Sequence, residues 1–529
     1  MLPAGGPSER PWRRRPPVGA RRYPGRVVGA PSIRRRAVGR LAAGAVLVAG
    51  LPACTSHPRP PTAAGPPGTI AWTTSPGHPG WQCGRLTVPL DHAGSPAAAG
   101  RTLTLAVNRH RAGSQRIGSL VLNPGGPGVS GVQFAFDAID GFLDRTLVSR
   151  FDIVGFDPRG VGASEPVRCL DGPALDAFNH LDPAPADPAG VDALVAGARG
   201  FAAGCQARSG GLLAYVSTSE AAGDLDGLRA ALGDSRLTYL GFSYGTLLGA
   251  TYASLFPDRV RALALDGAED PAVDPASVAV AQADGLERNL DAFLADCDAR
   301  AARCGFATGP DGTHRAAFEA LTGALAARPL PAGEGRTLGP AEAVYAIAWL
   351  LYSADWTTLA ADLAAAQQGD GTPLLGQFDD YMGRQADGTY DNSEEAGAAI
   401  DCVDRPPVGP PGQIAALARS AAVGAPYFGP AVAWASVLCE NWPVPAQGHS
   451  GPLRAPGAPP ILVVGSTDDP VTPYAWAQAL VAELGDAVLA TRVGDGHTAY
   501  PRSRCTRALV DAYLLTLRLP GPASARCAQ

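Results

Sequence analysis

Three features of the sequence predict an α/β protein with a mostly parallel sheet and a helical insertion. Short apolar runs alternate with helical segments between residues 118 and 266. The alternation then gives way to about 185 mostly helical residues, 271–455. It resumes at Ile461 and closes near residue 517. Strands that alternate with helices form βαβ units, and such units build parallel sheets.

The N-terminal end reads as an address and not as part of that fold. Residues 1–54 hold 11 arginines and a single acid, Glu9. Arg34, Arg35, Arg36 and Arg40 precede 41–51, an uncharged run with the length of a signal-peptide core and too short to span a bilayer comfortably. The run ends in Leu51, Pro52, Ala53 and Cys54, which resembles the lipobox of bacterial lipoproteins. In such a box the Cys is lipidated and becomes the mature N-terminus. The expectation is therefore export, with Cys54 lipidated at the outer face of the cell membrane and plain secretion as the alternative. Residues 55–75, rich in Pro, Ala, Gly and Thr, read as a tether.

The predicted organisation is a signal segment over 1–54, a linker over 55–75, a core over 76–270, a helical cap over 271–455 and the rest of the core over 456–529. Predicted strands cover 85–90, 102–107, 118–122, 151–156, 237–241, 261–266, 461–465 and 488–493, where apolar and β-branched residues run or alternate. Amphipathic or Ala-rich periodicity predicts cap helices over 277–298, 314–327, 340–366 and 412–422. Trp349, Tyr352 and Trp356 fall on one face of the third, a face expected to be core, with Phe378 and Tyr381 further on.

Charge and cysteine content narrow the chemistry. From Thr55 on, 32 arginines stand against 48 acids, a balance that repels polyphosphate, so nucleic acid is not an expected partner. The chain has no lysine, which excludes a P-loop lysine, a Schiff base and a Ser-Lys dyad. Of the ten cysteines none forms a CxxC pair, and HExxH is absent, so no metal and no cofactor is expected. An oxidising compartment permits disulfides. Neighbour pairing would join Cys169 to Cys205, Cys297 to Cys304, Cys402 to Cys439 and Cys505 to Cys527, leaving Cys83 over.

Four loops at strand ends carry the reactive residue types. Gly241, Phe242, Ser243, Tyr244 and Gly245 form the single GxSxG of the chain, between a predicted strand and a predicted helix. A nucleophile elbow needs that context, and its tight turn needs the glycines. Residues 123–128 (NPGGPG) follow an earlier strand and suit an oxyanion hole, with the N–H groups of Gly126 and Tyr244 as donors. Asp469 follows one late strand and His497 the next. The order Ser243, Asp469, His497 is that of α/β-hydrolases. His497 would deprotonate Ser243, and Asp469 would orient the imidazole. Asp468 is adjacent to that acid, and Asp266 or Asp270, after the strand that follows the elbow, are alternative places for it.

Five segments resemble the actinobacterial tripeptidyl aminopeptidase family, a branch of the α/β-hydrolases related to prolyl iminopeptidases. They are NPGGPGVSG (123–131), FDIVGFDPRGVGASEPVRC (151–169), YLGFSYGTLLGATYASLFPDRV (239–260), GSTDDPVTPY (465–474) and GDGHTAY (494–500). The likeness extends from about Trp81 to Cys527 and includes AIDC (399–402) and CENWP (439–443). It implies an α/β-hydrolase fold with a C-terminal TAP-like region, a triad of Ser243, Asp469 and His497, and an oxyanion hole in the GGPG turn. Some relatives are envelope lipoproteins and others behave as carboxylesterases.

The expected function is that of an exported serine hydrolase releasing short peptides from free N-termini through an acyl-enzyme. An ester hydrolase with the same triad, and a non-catalytic envelope binding protein on the same scaffold, are the alternatives. The substrate is expected to be a peptide or an ester. An aminopeptidase needs an anion near the site to hold the substrate ammonium, and Glu269 and Asp270 are candidates. The sequence sets no oligomeric state.

Overall fold

The computed structural model describes residues 68–75, 77–521 and 525–528. Cys54, the rest of the signal segment and most of the tether lie outside the described residues.

Ten strands form one sheet, in the order β1-β2-β3-β5-β4-β6-β7-β10-β11-β12. They are β1 (Thr73–Thr74), β2 (Trp81–Pro89), β3 (Thr102–His110), β4 (Gly118–Asn123), β5 (Phe151–Phe156), β6 (Leu237–Phe242), β7 (Val260–Asp266), β10 (Ile461–Asp468), β11 (Ala487–Asp495) and β12 (Arg526–Cys527). Two further short strands, β8 (Leu330–Pro331) and β9 (Thr337–Leu338), pair as a ribbon in the cap. β1, β2, β3 and β5 pair antiparallel, and every pairing from β5 through β4 to β12 is parallel.

The parallel strands read as continuous apolar runs because both of their faces are covered. Leu120, Leu122, Leu462 and Val464 point to one side, against Val132 and Phe136 of helix Gly131–Gly141 and Val510 and Leu514 of helix Arg504–Thr516. Val121, Ile461 and Val463 point to the other, against Leu225 of helix Thr218–Ala231, Leu248 of helix Tyr244–Leu255 and Leu480 of helix Tyr474–Leu484. Truncating a fully buried member such as Leu240 to Ala is expected to cost about 3 kcal/mol.

The cap interrupts the sheet between β7 and β10 and has its own core, with Phe293, Ile347, Leu351, Leu363, Phe378 and Phe428 at its centre. Two helices from the long β5–β6 connection, Gly172–Asn179 and Pro188–Leu213, join this layer, where Val195 and Ala198 pack on Ile414, Ala418 and Trp434. The helical layer is thus wider than the predicted 271–455. The four predicted neighbour disulfides are present. Cys83 is disulfide-bonded as well and not left over.

Two further expectations are corrected. The predicted tether ends before residue 75. Thr73–Thr74 pairs with Gln82 and Cys83, Ile70 and Trp72 pack on the core, and Arg109 stacks 4.0 Å over the Trp72 ring. The predicted helix 340–366 is two helices, Pro340–Tyr352 and Trp356–Gln367. Ala354 turns to φ +48°, and Asp355 caps the second helix by accepting from Thr358 N at 3.1 Å. Trp356 therefore leaves the face of Trp349 and Tyr352 and packs on Phe293, ring centroids 6.1 Å apart.

Candidate active site

Ser243 stands between β6 and helix Tyr244–Leu255 at φ +55°, ψ −128°, a backbone state that few non-glycine residues adopt. The neighbouring glycines make the turn possible. A Cβ on Gly241 would lie 2.5 Å from Gly245 O, and one on Gly245 would lie 2.6 Å from Asn123 Oδ1. The turn is pinned from both sides. Ser243 N donates to Asp266 O at 2.9 Å, and Ser243 O accepts from Thr246 N at 2.7 Å and Thr246 Oγ1 at 2.6 Å.

The NPGGPG loop lies against this turn. A Cβ on Gly125 would be 2.9 Å from Ser243 Cβ and 3.1 Å from Tyr244 N. Gly125 N is consumed by Asn123 Oδ1 at 2.9 Å, whereas the Gly126 and Tyr244 N–H groups donate to no atom among the described residues. Two unspent N–H groups flank the serine, one of them at a helix N-terminus that favours developing negative charge.

His497 is fully buried after β11. Its Nδ1 lies 2.9 Å from each carboxylate oxygen of Asp469 and 3.1 Å from Thr472 Oγ1. With the Nδ1 proton committed to Asp469, the lone pair resides on Nε2. Nε2 is buried without a partner among the described residues, as a base awaiting a proton donor would be. Catalytic contacts of this kind tighten when substrate binds. The ring sits at the end of β7, where a Cβ on Gly267 would lie 2.9 Å from His497 Cε1. β7 is also where Asp266 O holds the Ser243 backbone.

Asp469 accepts from Val471 N, Thr472 N and Thr498 N besides His497. Burial pushes its pKa up, but the His497 charge and these hydrogen bonds outweigh burial and hold the carboxyl below its ordinary value. The rival acids do other work. Asp468 is exposed and accepts from the Thr467 hydroxyl. Asp266 accepts from Ala499 N at 2.9 Å and Tyr500 N at 2.7 Å, bracing the His497 loop, and burial raises its pKa to about 6. Asp270 accepts from Ala272 N and faces Glu483. The expectation that Glu269 offers a free anion is also corrected: Arg405 occupies its carboxylate at 2.6 Å.

Sequence reasoning missed several neighbours. Tyr352 lies against His497 with ring centroids 4.6 Å apart, and its carbonyl accepts from His497 N at 3.0 Å. The helix break after Tyr352 exposes these last carbonyls, and Arg502 takes Ser353 O at 2.6 Å. Thr218 links the Tyr244 hydroxyl, 2.6 Å away, to Asp404, 2.5 Å away. Among the described residues no group of three or more His, Cys, Asp or Glu converges as a metal site.

Comparisons with known proteins fit this geometry. A family model described as alpha/beta hydrolase fold matches residues 118–307, which include Gly126 and Ser243. A second, TAP-like protein, matches 425–527, which include Asp469 and His497. A protein named Tripeptidyl aminopeptidase, from Streptomyces lividans, is 33% identical over 83% of this chain and 82% of its own length. The chain belongs to the tripeptidyl aminopeptidase family of α/β-hydrolases. The family extends to proteins named Serine protease Hip1 (37% identical, 84% of this chain and 87% of that one) and Carboxylesterase B (39%, 84% and 86%), both from Mycobacterium tuberculosis. Like these family members, the chain is a serine hydrolase.

Proposed function

We propose that the protein is an exported aminopeptidase that releases short peptides from free N-termini through an acyl-enzyme on Ser243, His497 and Asp469. The observation that carries this reading is the buried, unpartnered Nε2 of His497, with Nδ1 clamped by Asp469, beside a serine flanked by two unspent N–H groups. In the proposed reaction Ser243 Oγ attacks the scissile carbonyl while His497 Nε2 takes its proton. The oxyanion is met by Gly126 N–H and Tyr244 N–H. The tetrahedral intermediate collapses as Nε2 returns the proton to the leaving amine. Water then repeats the sequence on the acyl-enzyme and regenerates Ser243.

The name of the 39% identical relative, Carboxylesterase B, supports a second reading in which an ester is the substrate. Export, and a lipid anchor on Cys54, belong to the first reading and rest on the sequence of residues 34–54. The test offers the mature protein chromogenic tripeptide amides with free and acetylated N-termini beside a short p-nitrophenyl ester, with Ser243→Ala as control. Turnover of the free amide that disappears in the variant is expected. Ester turnover without amide cleavage would replace the first reading by the second.

A further inference from the structure

The peptidase reading leaves one requirement unmet, because Glu269 is already paired with Arg405. Another carboxylate stands close to the oxyanion loop. Helix Ser393–Asp404 starts directly on that loop: Ser393 O and Gly397 N crowd the place where Gly128 would carry a Cβ, the latter at 2.7 Å. A Cβ on Gly397 would in turn lie 2.7 Å from Pro127 O. From the second turn on the helix is buried except along Ala398 and Asp401, which follow Glu394 at i+4 and i+7. This stripe is the helix's open face, and Glu394 is its end nearest Gly128. Gly126 is two residues from Gly128, at most about 7 Å along the chain, so the first turn of the helix lies within about a tripeptide's length, about 10 Å, of the candidate oxyanion hole.

Glu394 has the surroundings of a cation site without a cation. It accepts one neutral hydrogen bond, from Asn179 Nδ2 at 2.9 Å, and makes no ion pair among the described residues. The adjacent Glu395 is spent on Cys169 N and Leu170 N. Burial, with the charges of Glu395 and Asp391, raises the Glu394 pKa to about 7 against the Asn179 bond. An aromatic ledge joins this carboxyl to the candidate base. Tyr352 lies on His497, Trp349 stacks on Tyr352 at 5.4 Å, Tyr381 lies 5.9 Å from Trp349, and Tyr345 stacks on Tyr381 at 5.8 Å. Burial, and to a smaller extent the Glu394 charge, raises the Tyr345 and Tyr381 pKa values. Tyr381 is 45% exposed, so the ledge is an open surface and not sealed core. Aromatic faces accept apolar side chains and attract cations alike.

We infer that Glu394 is the specificity-determining carboxylate that binds the free α-ammonium of the peptide, with the Tyr352–Trp349–Tyr381 ledge seating the residues between it and Ser243. The inference rests on the peptidase reading for its substrate class, but its test does not require peptide cleavage. Hydrolysis of a p-nitrophenyl ester is measured with trialanine amide as competitor, free or N-acetylated. The wild-type protein is expected to bind the free form about thirtyfold more tightly, the magnitude of a hydrogen bond to a charged partner. Glu394→Gln should bring that ratio to within about threefold. The ratio is insensitive to a general loss of activity, and Glu394→Asp, which keeps the charge, should restore part of it. A wild-type ratio near one overturns the inference, and so does an unchanged ratio in Glu394→Gln or a collapse seen only in Asp401→Asn. If the ratio behaves as expected but no amide is cleaved, the peptidase reading fails and the ammonium site stands.

Discussion

Gly125→Ala should disable the enzyme with little loss of fold. The new methyl would enter the contact range of Phe242 O and lie 2.9 Å from Ser243 Cβ and 3.1 Å from Tyr244 N. Comfortable contacts to carbon are about 3.5–4.0 Å, so the loop or the serine turn must retreat by about 1 Å. Gly125 also has φ +92°, which a side chain adopts only under strain. The turn resists because Asp266 O and Thr246 hold its backbone, so the glycine loop moves and takes the Gly126 N–H with it. A misplacement of that size, or the loss of one oxyanion donor, costs about 100-fold in kcat. Overpacking and strain together should cost about 2–3 kcal/mol of stability. The assay is steady-state ester hydrolysis beside a thermal melt. A folded variant with kcat within threefold of wild type would refute the placement of the oxyanion hole in this loop.

Other outcomes follow from the same geometry. Asp469→Asn should lower kcat by about 10⁴, as the wrong His tautomer becomes favoured, while Asp468→Asn should leave it within about twofold. Reversed effects of the two variants would move the acid. Asp266, Asp404 and Asp511 have pKa values raised to about 6 by burial, and Glu394 one raised to about 7. Each binds its proton more tightly folded than unfolded, so its stabilisation is complete below pH 4 and is lost as pH rises through 6–7. Asp469 acts oppositely, and its contribution is lost only as pH falls below its ordinary value of 3.8. The melting temperature should therefore be several degrees higher at pH 5.5 than at pH 8, and a flat profile would contradict these burials. Peptide mapping of the mature protein tests the anchor. A diacylglycerol thioether on Cys54 would support the anchor, whereas a disulfide between Cys54 and Cys83 would exclude it and leave plain secretion, since one sulfur cannot carry both.

The sheet and the four reactive loops were legible because their signals are local. A strand buried on both faces reads as an apolar run, and GxSxG, NPGGPG and the late Asp and His all follow such runs. The division of labour among the acids was not local. Asp266 and Asp469 both follow core strands, and only the meeting of β7 with the His497 loop gives one the brace and the other the imidazole. Glu269 looked free because its partner, Arg405, is 136 residues away. Helical periodicity put Trp349 and Tyr352 on one face and read that face as core, whereas both are half-buried and Tyr352 lies against His497. It also passed over the break at Ala354, where Asp355 in its capping role was the overlooked signal. Ile70 and Trp72 were the apolar residues that a tether should not have had.

The position of the cap has a consequence for the order of synthesis. The serine turn and the glycine loop belong to strands made before the cap, whereas β10 and β11, which bring Asp469 and His497, are made after it. A ribosome-bound chain that has already folded its first seven strands would hold Ser243 with no base to deprotonate it. The last parallel strands slot in beside β7 only when nearly the whole polypeptide has emerged. A chain that ends before β10 therefore lacks both Asp469 and His497.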